Sequence, residues 1–245
     1  MPAILSKPNA SQNHIQQVDY IRAIASLAVA LFHLGGKSLP VLKYGWLGVQ
    51  MFFVLSGFII CWSLPQTYSW KLTGKFISKR LIRIEPPYII SIALAIAAHY
   101  IFVANYQPDW FNILCHFAYI NNFTNQPYLN PVYWTLGIEF QFYIFIALFF
   151  PLLVSKWGKW FLLAVCILPL VVKLPPNFGL PGLLPIFGFG MLYYLFLKKR
   201  VTIIEGILFG VVITVCSVLT AGWWPTGASA FATLLLILPT HDIIS

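Results

Sequence analysis

Long apolar stretches alternate with short polar breaks along almost the whole chain. The runs fall at roughly 18–36, 46–64, 85–104, 131–154, 160–173, 181–197, 201–220 and 227–240, bounded by Gly, Pro or charged residues. A helix needs about 20 apolar residues to cross a bilayer, so the pattern predicts an all-α, polytopic transmembrane helix bundle of about eight spans. The fifth and eighth runs, at about 14 residues, predict helices that are tilted, re-entrant or merged with a neighbour. Between 105 and 130 the pattern lapses, with Asn105, Asp109, Asn112, Asn121, Asn122 and Asn130 and no Lys or Arg. This reads as the longest loop, and Trp110, Phe111, Phe117, Tyr119 and Phe123 predict that it lies against the membrane interface. No internal repeat and no matching pair of broken spans is visible.

Composition supports the pattern. Of 245 residues, 60% are hydrophobic, 17% aromatic and 9% charged, against about 25% charged in a soluble domain. Soluble globular, disordered and disulfide-stapled classes are excluded, and 1–245 reads as one transmembrane domain behind a polar tail at 1–17. The first run has no cleavage-site pattern, so it is expected to be retained as a span. Cys61, Cys115, Cys166 and Cys216 are far apart and read as buried hydrophobes.

A net charge of +9 would suggest nucleic acid in a soluble protein. Here the basic residues cluster between apolar runs, and short loops rich in Lys and Arg stay cytoplasmic. With the N-terminus cytoplasmic, the inside receives Lys7, Arg22, Lys71, Lys75, Lys79, Arg80, Arg83, Lys156, Lys159, Lys198, Lys199 and Arg200; Lys37, Lys43 and Lys173 stay outside. The chain is therefore expected in the lipid bilayer, with no nucleic-acid partner.

An ionisable side chain inside a span costs about 2.5–3.5 kcal/mol on insertion scales, so each needs a reason. Arg22 and His33, eleven residues apart, share one face of the first helix and differ in height by about 16 Å. Arg22 also reads as a snorkelling flank residue and His33 as an interfacial one. Glu139, in Tyr133-Trp134-Thr135-Leu136-Gly137-Ile138-Glu139, is expected at the depth of His33, where a carboxylate beside an imidazole would leave the second ring nitrogen free as a base. Lys79, Arg80 and Arg83, just before Glu85-Pro86-Pro87, read either as a topology signal or as a phosphate-binding rim. Gly45, Gly48 and Gly57, with Ser56, predict close packing of the second helix. His14, His99, His116 and His241 have no partner at metal spacing, so no metal site is expected.

Four stretches taken together resemble the membrane-bound acyltransferase family 3, which includes O-acetyltransferases of bacterial surface polysaccharides. They are Asp19-Tyr20-Ile21-Arg22 with Leu31-Phe32-His33; Gly48-Val49-Gln50-Met51-Phe52-Phe53-Val54-Leu55-Ser56-Gly57-Phe58; Phe76-Ile77-Ser78-Lys79-Arg80-Leu81-Ile82-Arg83-Ile84 with Pro86 and Tyr88; and Tyr133-Trp134-Thr135-Leu136 with Glu139, Phe142 and Tyr143. They cover residues 19 to 152, and beyond them only Phe187-Gly188-Phe189-Gly190 is similar to the family. Gln50 stands where many members carry Asp, and Glu85 where an aromatic residue is common.

The resemblance implies transfer of an acyl group, most often acetyl, from cytoplasmic acyl-CoA to a hydroxyl of an extracytoplasmic or lipid-linked glycan, in a bacterial cytoplasmic membrane. It implies His33 as general base with Glu139 orienting it, and Arg22, Lys79, Arg80 and Arg83 as the acyl-CoA contacts. Ser56, Trp134 and Tyr143 would line the pocket. No metal or organic cofactor is implied beyond the acyl-CoA co-substrate. Members usually carry further spans, so C-terminal spans are expected to be missing, and an inactive truncated member is one alternative. A glycolipid transporter or flippase, with Arg22, His33 and Glu139 along a substrate or proton path, is the other.

Overall fold

The computed structural model describes residues 15–172 and 179–238; Lys7, His14, Lys173 and the stretch from Thr240 to Ser245 lie outside them. The described residues form ten α-helices joined by short 3₁₀ turns, with no strand among them. They are α1 (Gln16–His33), α2 (Gly48–Ser63), α3 (Thr73–Phe102), α4 (Trp110–Phe117), α5 (Asn121–Thr124), α6 (Trp134–Leu153), α7 (Gly158–Val171), α8 (Gly179–Leu197), α9 (Ile203–Ala221) and α10 (Trp223–Ile237). All eight apolar runs are helices. Five segments, containing α2, α3, α6, α8 and α9, are long and apolar enough to cross a membrane. The helices α7 and α10 are the short ones expected, and α1 dilutes its 18 residues with Asp19 and Arg22.

Two expectations are corrected. The third helix begins at Thr73, twelve residues before 85, and runs unbroken through Pro86 and Pro87 for 30 residues. Each proline lacks an N–H and so leaves the carbonyl four residues back, at Ile82 and Arg83, without its helical partner. Prolines inside membrane helices are accommodated by their surroundings, and here the basic residues before them are helical rather than looped. The 105–130 segment is not a plain loop, because it contains α4 and α5.

Exposure has the inverse sense of a soluble bundle. On α9, Ile204, Ile207, Leu208, Val211, Val215 and Leu219 all face outward, one stripe at helical spacing that suits hydrocarbon rather than water. Inside, α2 and α8 form the centre. A Cβ added at Gly57 would overlap the Phe187 carbonyl, and one at Gly190 would overlap the Val54 carbonyl and lie 2.6 Å from the Phe58 nitrogen. The two backbones therefore touch only because both positions are Gly. Gly45, in the 3₁₀ turn before α2, and Gly48, at its start, likewise come close to the Ala28 and Ala25 carbonyls of α1. Gly190→Val is expected to destabilise by about 1–3 kcal/mol, read as a lower unfolding temperature in detergent. All four cysteines are buried and unpaired.

The helix α3 stands apart. It packs chiefly on α6, pinned at its start where Tyr68 and Thr73 donate to the Ala147 carbonyl at 3.0 and 3.4 Å and Trp70 Nε1 to Leu148 at 2.9 Å. Farther along, the Ser91 and Tyr133 hydroxyls share a 2.6 Å hydrogen bond. Between α3 and the α1–α2 pair a gap remains, and it holds the cavities described next.

Candidate functional site

The first cavity has a volume of about 300 Å³ and is walled by α1, α2, α3 and α6. Its charged or polar lining is Arg22, Ser56, Arg80, Arg83, Thr135, Glu139 and Tyr143; the rest is mostly aliphatic and aromatic, with Phe52, Phe53 and Ile59 among it. Glu139 is half-buried. Its Oε1 accepts from the Tyr143 hydroxyl, one helical turn away on the same face, at 2.5 Å, and from Ser56 Oγ at 3.5 Å. Its Oε2 accepts nothing among the described residues. A carboxylate held by one oxygen with the other turned to a cavity can orient a donor or take a proton there.

Arg80 closes one side. Its Nη2 donates to Ser63 Oγ at 2.6 Å, and its guanidinium lies 5.5 Å from the Phe76 ring and 5.8 Å from that of Tyr143, within cation–π range. Behind it opens a second cavity of about 450 Å³, lined by Lys75, Lys79, Arg80 and Arg83 with Ser63, Tyr68 and Phe76. Arg80 and Arg83 belong to both. The second cavity has four cationic side chains and no acidic one, and the first has three guanidiniums against one carboxylate. Both attract anions, and the guanidinium fork fits phosphate oxygens.

The site residues expected from sequence are thus partly assembled. Arg22, Arg80, Arg83, Ser56, Glu139 and Tyr143 line the first cavity, while Lys79 lines the second. Arg22 also pairs with Asp19 at 3.8 Å. Trp134 does not line either cavity; it packs edge-on against Phe53, which stacks on Phe187 and so joins the core. The expected contact between His33 and Glu139 is not present. His33 is exposed at the end of α1, edge-on to Phe32. It lies four residues, about 40° and about 6 Å, beyond the cavity residue Val29 on the same face of α1.

Several contributors escaped the sequence reading. Lys75, Ser63 and Tyr68 belong to the second cavity. Lys75, Lys79 and Arg83 repeat every four residues, a helical signal hidden by treating the segment as a loop. Glu85 lies beside the buried Tyr119 hydroxyl, which forms no regular hydrogen bond among the described residues; burial first, and then this carboxylate, push the phenol above its ordinary range. Gln50 is buried, and its side-chain oxygen has no partner among the described residues.

The model of the acyltransferase domain family matches residues 15–243. Among similar proteins, the "Putative acetyltransferase ORF330" of Acidianus two-tailed virus is 29% identical over 212 residues, 80% of this chain and 62% of the viral protein. Peptidoglycan O-acetyltransferase OatA of Listeria monocytogenes is 28% identical over 169 residues, 61% of this chain and 26% of that protein. O-acetyltransferase OatA of Staphylococcus aureus is 29% identical over 162 residues, 59% and 25% of the two chains. The chain thus spans less than two thirds of the length of these relatives. No solved structure matches.

Proposed function

The chain belongs to the acyltransferase domain family, and from that premise we propose that it moves an acetyl group from cytoplasmic acyl-CoA to a hydroxyl of a cell-envelope glycan. One observation carries the reading: a singly held carboxylate, Glu139, faces a cavity that meets a cationic cavity at Arg80 and Arg83. The names of the relatives, two of them O-acetyltransferases and one of those acting on peptidoglycan, support the acceptor class.

In this reading the donor's phosphates rest on Lys75, Lys79, Arg80 and Arg83, and its thioester arm passes Arg80 into the first cavity. The acceptor comes from the His33 side. A sugar hydroxyl is a weak nucleophile until a base takes its proton, and His33 supplies that base. Glu139, oriented by Tyr143, offsets the charge gained by the imidazole, and the bound acceptor spans the distance between them. The new C–O bond forms as the C–S bond breaks, and the proton taken from the hydroxyl passes to the departing thiolate.

The test incubates membranes containing the protein with acetyl-labelled CoA and follows base-labile label in the glycan. Wild type is expected to label glycan only when the thioester is present, and His33→Ala about 10²-fold more slowly. Glycolipid movement without thioester would replace this reading with the flippase one, and undiminished labelling by His33→Ala would remove His33 from the mechanism.

A further inference from the structure

The segment between α3 and α6 buries polar side chains beside apolar ones while leaving large apolar ones outside. On α4, Trp110, Phe111, Leu114 and Phe117 are exposed, while Asn112 and His116 are buried, His116 completely. A histidine withdrawn to that extent needs its ring nitrogens satisfied. The Leu129 N–H donates to Nε2 at 3.1 Å, so the ring proton sits on Nδ1, which donates to the Asn112 carbonyl at 2.8 Å. His116 is therefore neutral and both nitrogens are used. Asn121 Nδ2 donates to Asn112 Oδ1 at 3.0 Å and stands 3.2 Å from His116 Nδ1, drawing α5 to the same centre.

What this centre holds is the turn of α6 that bears Glu139. The Tyr128 ring stands edge-on to His116 at 5.8 Å, and its hydroxyl would be 3.3 Å from a Cβ at Gly137. Tyr133, also edge-on to His116 at 5.8 Å, immediately precedes α6 and bonds to Ser91 of α3. Tyr119, three residues past His116, stacks on Phe140 with centroids 4.8 Å apart. It does so at φ +58°, a left-handed conformation that a bulky residue adopts only under constraint. Gly137 and Phe140, on either side of Glu139, are thus both met by side chains of the segment that the His116 ring ties together from Asn112 to Leu129, with the Tyr119 N–H donating to the His116 carbonyl at 3.1 Å.

We infer that His116 is a positioning residue for Glu139: its neutral ring locks residues 112–133 into a clasp that fixes the α6 turn carrying the cavity carboxylate. The inference rests on the proposed role of Glu139, but the clasp itself does not depend on acyl transfer. The titratable groups against the ring are the phenols of Tyr128 and Tyr133. A second proton on Nε2 would set N–H against the Leu129 N–H and open the clasp. Burial keeps the imidazole below its ordinary range, with the Asn112 carbonyl working the other way, so the neutral clasp holds at neutral pH and is lost as pH falls through that lowered value.

The decisive experiment measures how fast a hydrophobic carbodiimide modifies Glu139, read by mass spectrometry of its peptide, in wild type, His116→Ala and His116→Gln. His116→Ala is expected to change the rate about tenfold and to lower kcat by at least as much with donor KM unchanged; His116→Gln, which keeps an acceptor for Leu129, restores both. A folded His116→Ala with wild-type carbodiimide reactivity overturns the inference. Should His116→Ala not accumulate, the ratio of wild-type to His116→Gln rates decides as pH is lowered from neutrality to the point where wild type unfolds: a ratio that changes on the way supports the clasp, and one that stays flat to that point overturns it. The carbodiimide needs no donor, so loss of the acyltransfer reading leaves this measurement intact.

Discussion

Glu139→Gln will lower acyl transfer by about 10²–10⁴-fold while the protein still inserts and unfolds at close to the wild-type temperature. The amide is isosteric and can still accept from Tyr143 through its carbonyl oxygen, so the hydrogen bond at Oε1 survives. What disappears is the negative charge at Oε2, the oxygen left to the cavity. If that charge offsets the imidazolium formed as the acceptor loses its proton, the loss falls on kcat, because the charge is needed only in the transition state. Tyr143→Phe separates orientation from charge. It removes the 2.5 Å hydrogen bond and leaves the carboxylate, so an intermediate loss of about tenfold is expected. Transfer rates matched to protein level in isolated membranes check both. A Glu139→Gln protein with wild-type kcat would mean that the carboxylate is structural.

Arg83→Ala will raise the donor KM by about 10–100-fold and change kcat little. Charge-assisted hydrogen bonds to phosphate contribute about 1.5–3 kcal/mol each, and Arg83 lines both cavities. An interaction made equally with bound donor and transition state appears in KM alone. The control is Lys71→Ala, on the same basic stretch but outside both cavities. If these residues served only to set topology, the two variants would behave alike. Added salt should weaken donor binding in wild type more than in Arg83→Ala, since one contributing charge is already gone.

Periodicity carried the helices, and it failed where a local rule competed with the membrane. Eight apolar runs became eight helices. Reading Pro86-Pro87 as a boundary, however, removed twelve residues from α3 and with them the four-residue repeat that puts Lys75, Lys79 and Arg83 on one cavity. Proline breaks helices in water because the freed carbonyl must be re-satisfied, and a membrane helix meets that demand elsewhere. Glu139 was legible because an ionisable group in an apolar run demands an explanation, Arg80 because basic residues beside a span also read as a phosphate-binding rim, and Tyr143 only through the family resemblance. His116 was not, since its partners are the backbone at Asn112 and Leu129 and no side-chain spacing encodes them. The separation of His33 from Glu139 was equally invisible, because equal depth on two helices does not fix which way their side chains turn.

The account stands on the claim that the cavity between α1, α2, α3 and α6 receives the thioester donor. Replacing Ser56, which touches Glu139 at 3.5 Å, by Cys gives that cavity a thiol, and the four native cysteines are buried. The measurement is the rate at which a membrane-permeant maleimide modifies Ser56→Cys as desulfo-CoA, which has no thiol, is added. The account predicts about tenfold protection at saturation, with more ligand needed when Arg83→Ala is combined with it. A rate that stays constant at every desulfo-CoA concentration, in membranes that still transfer acetyl groups, would contradict it.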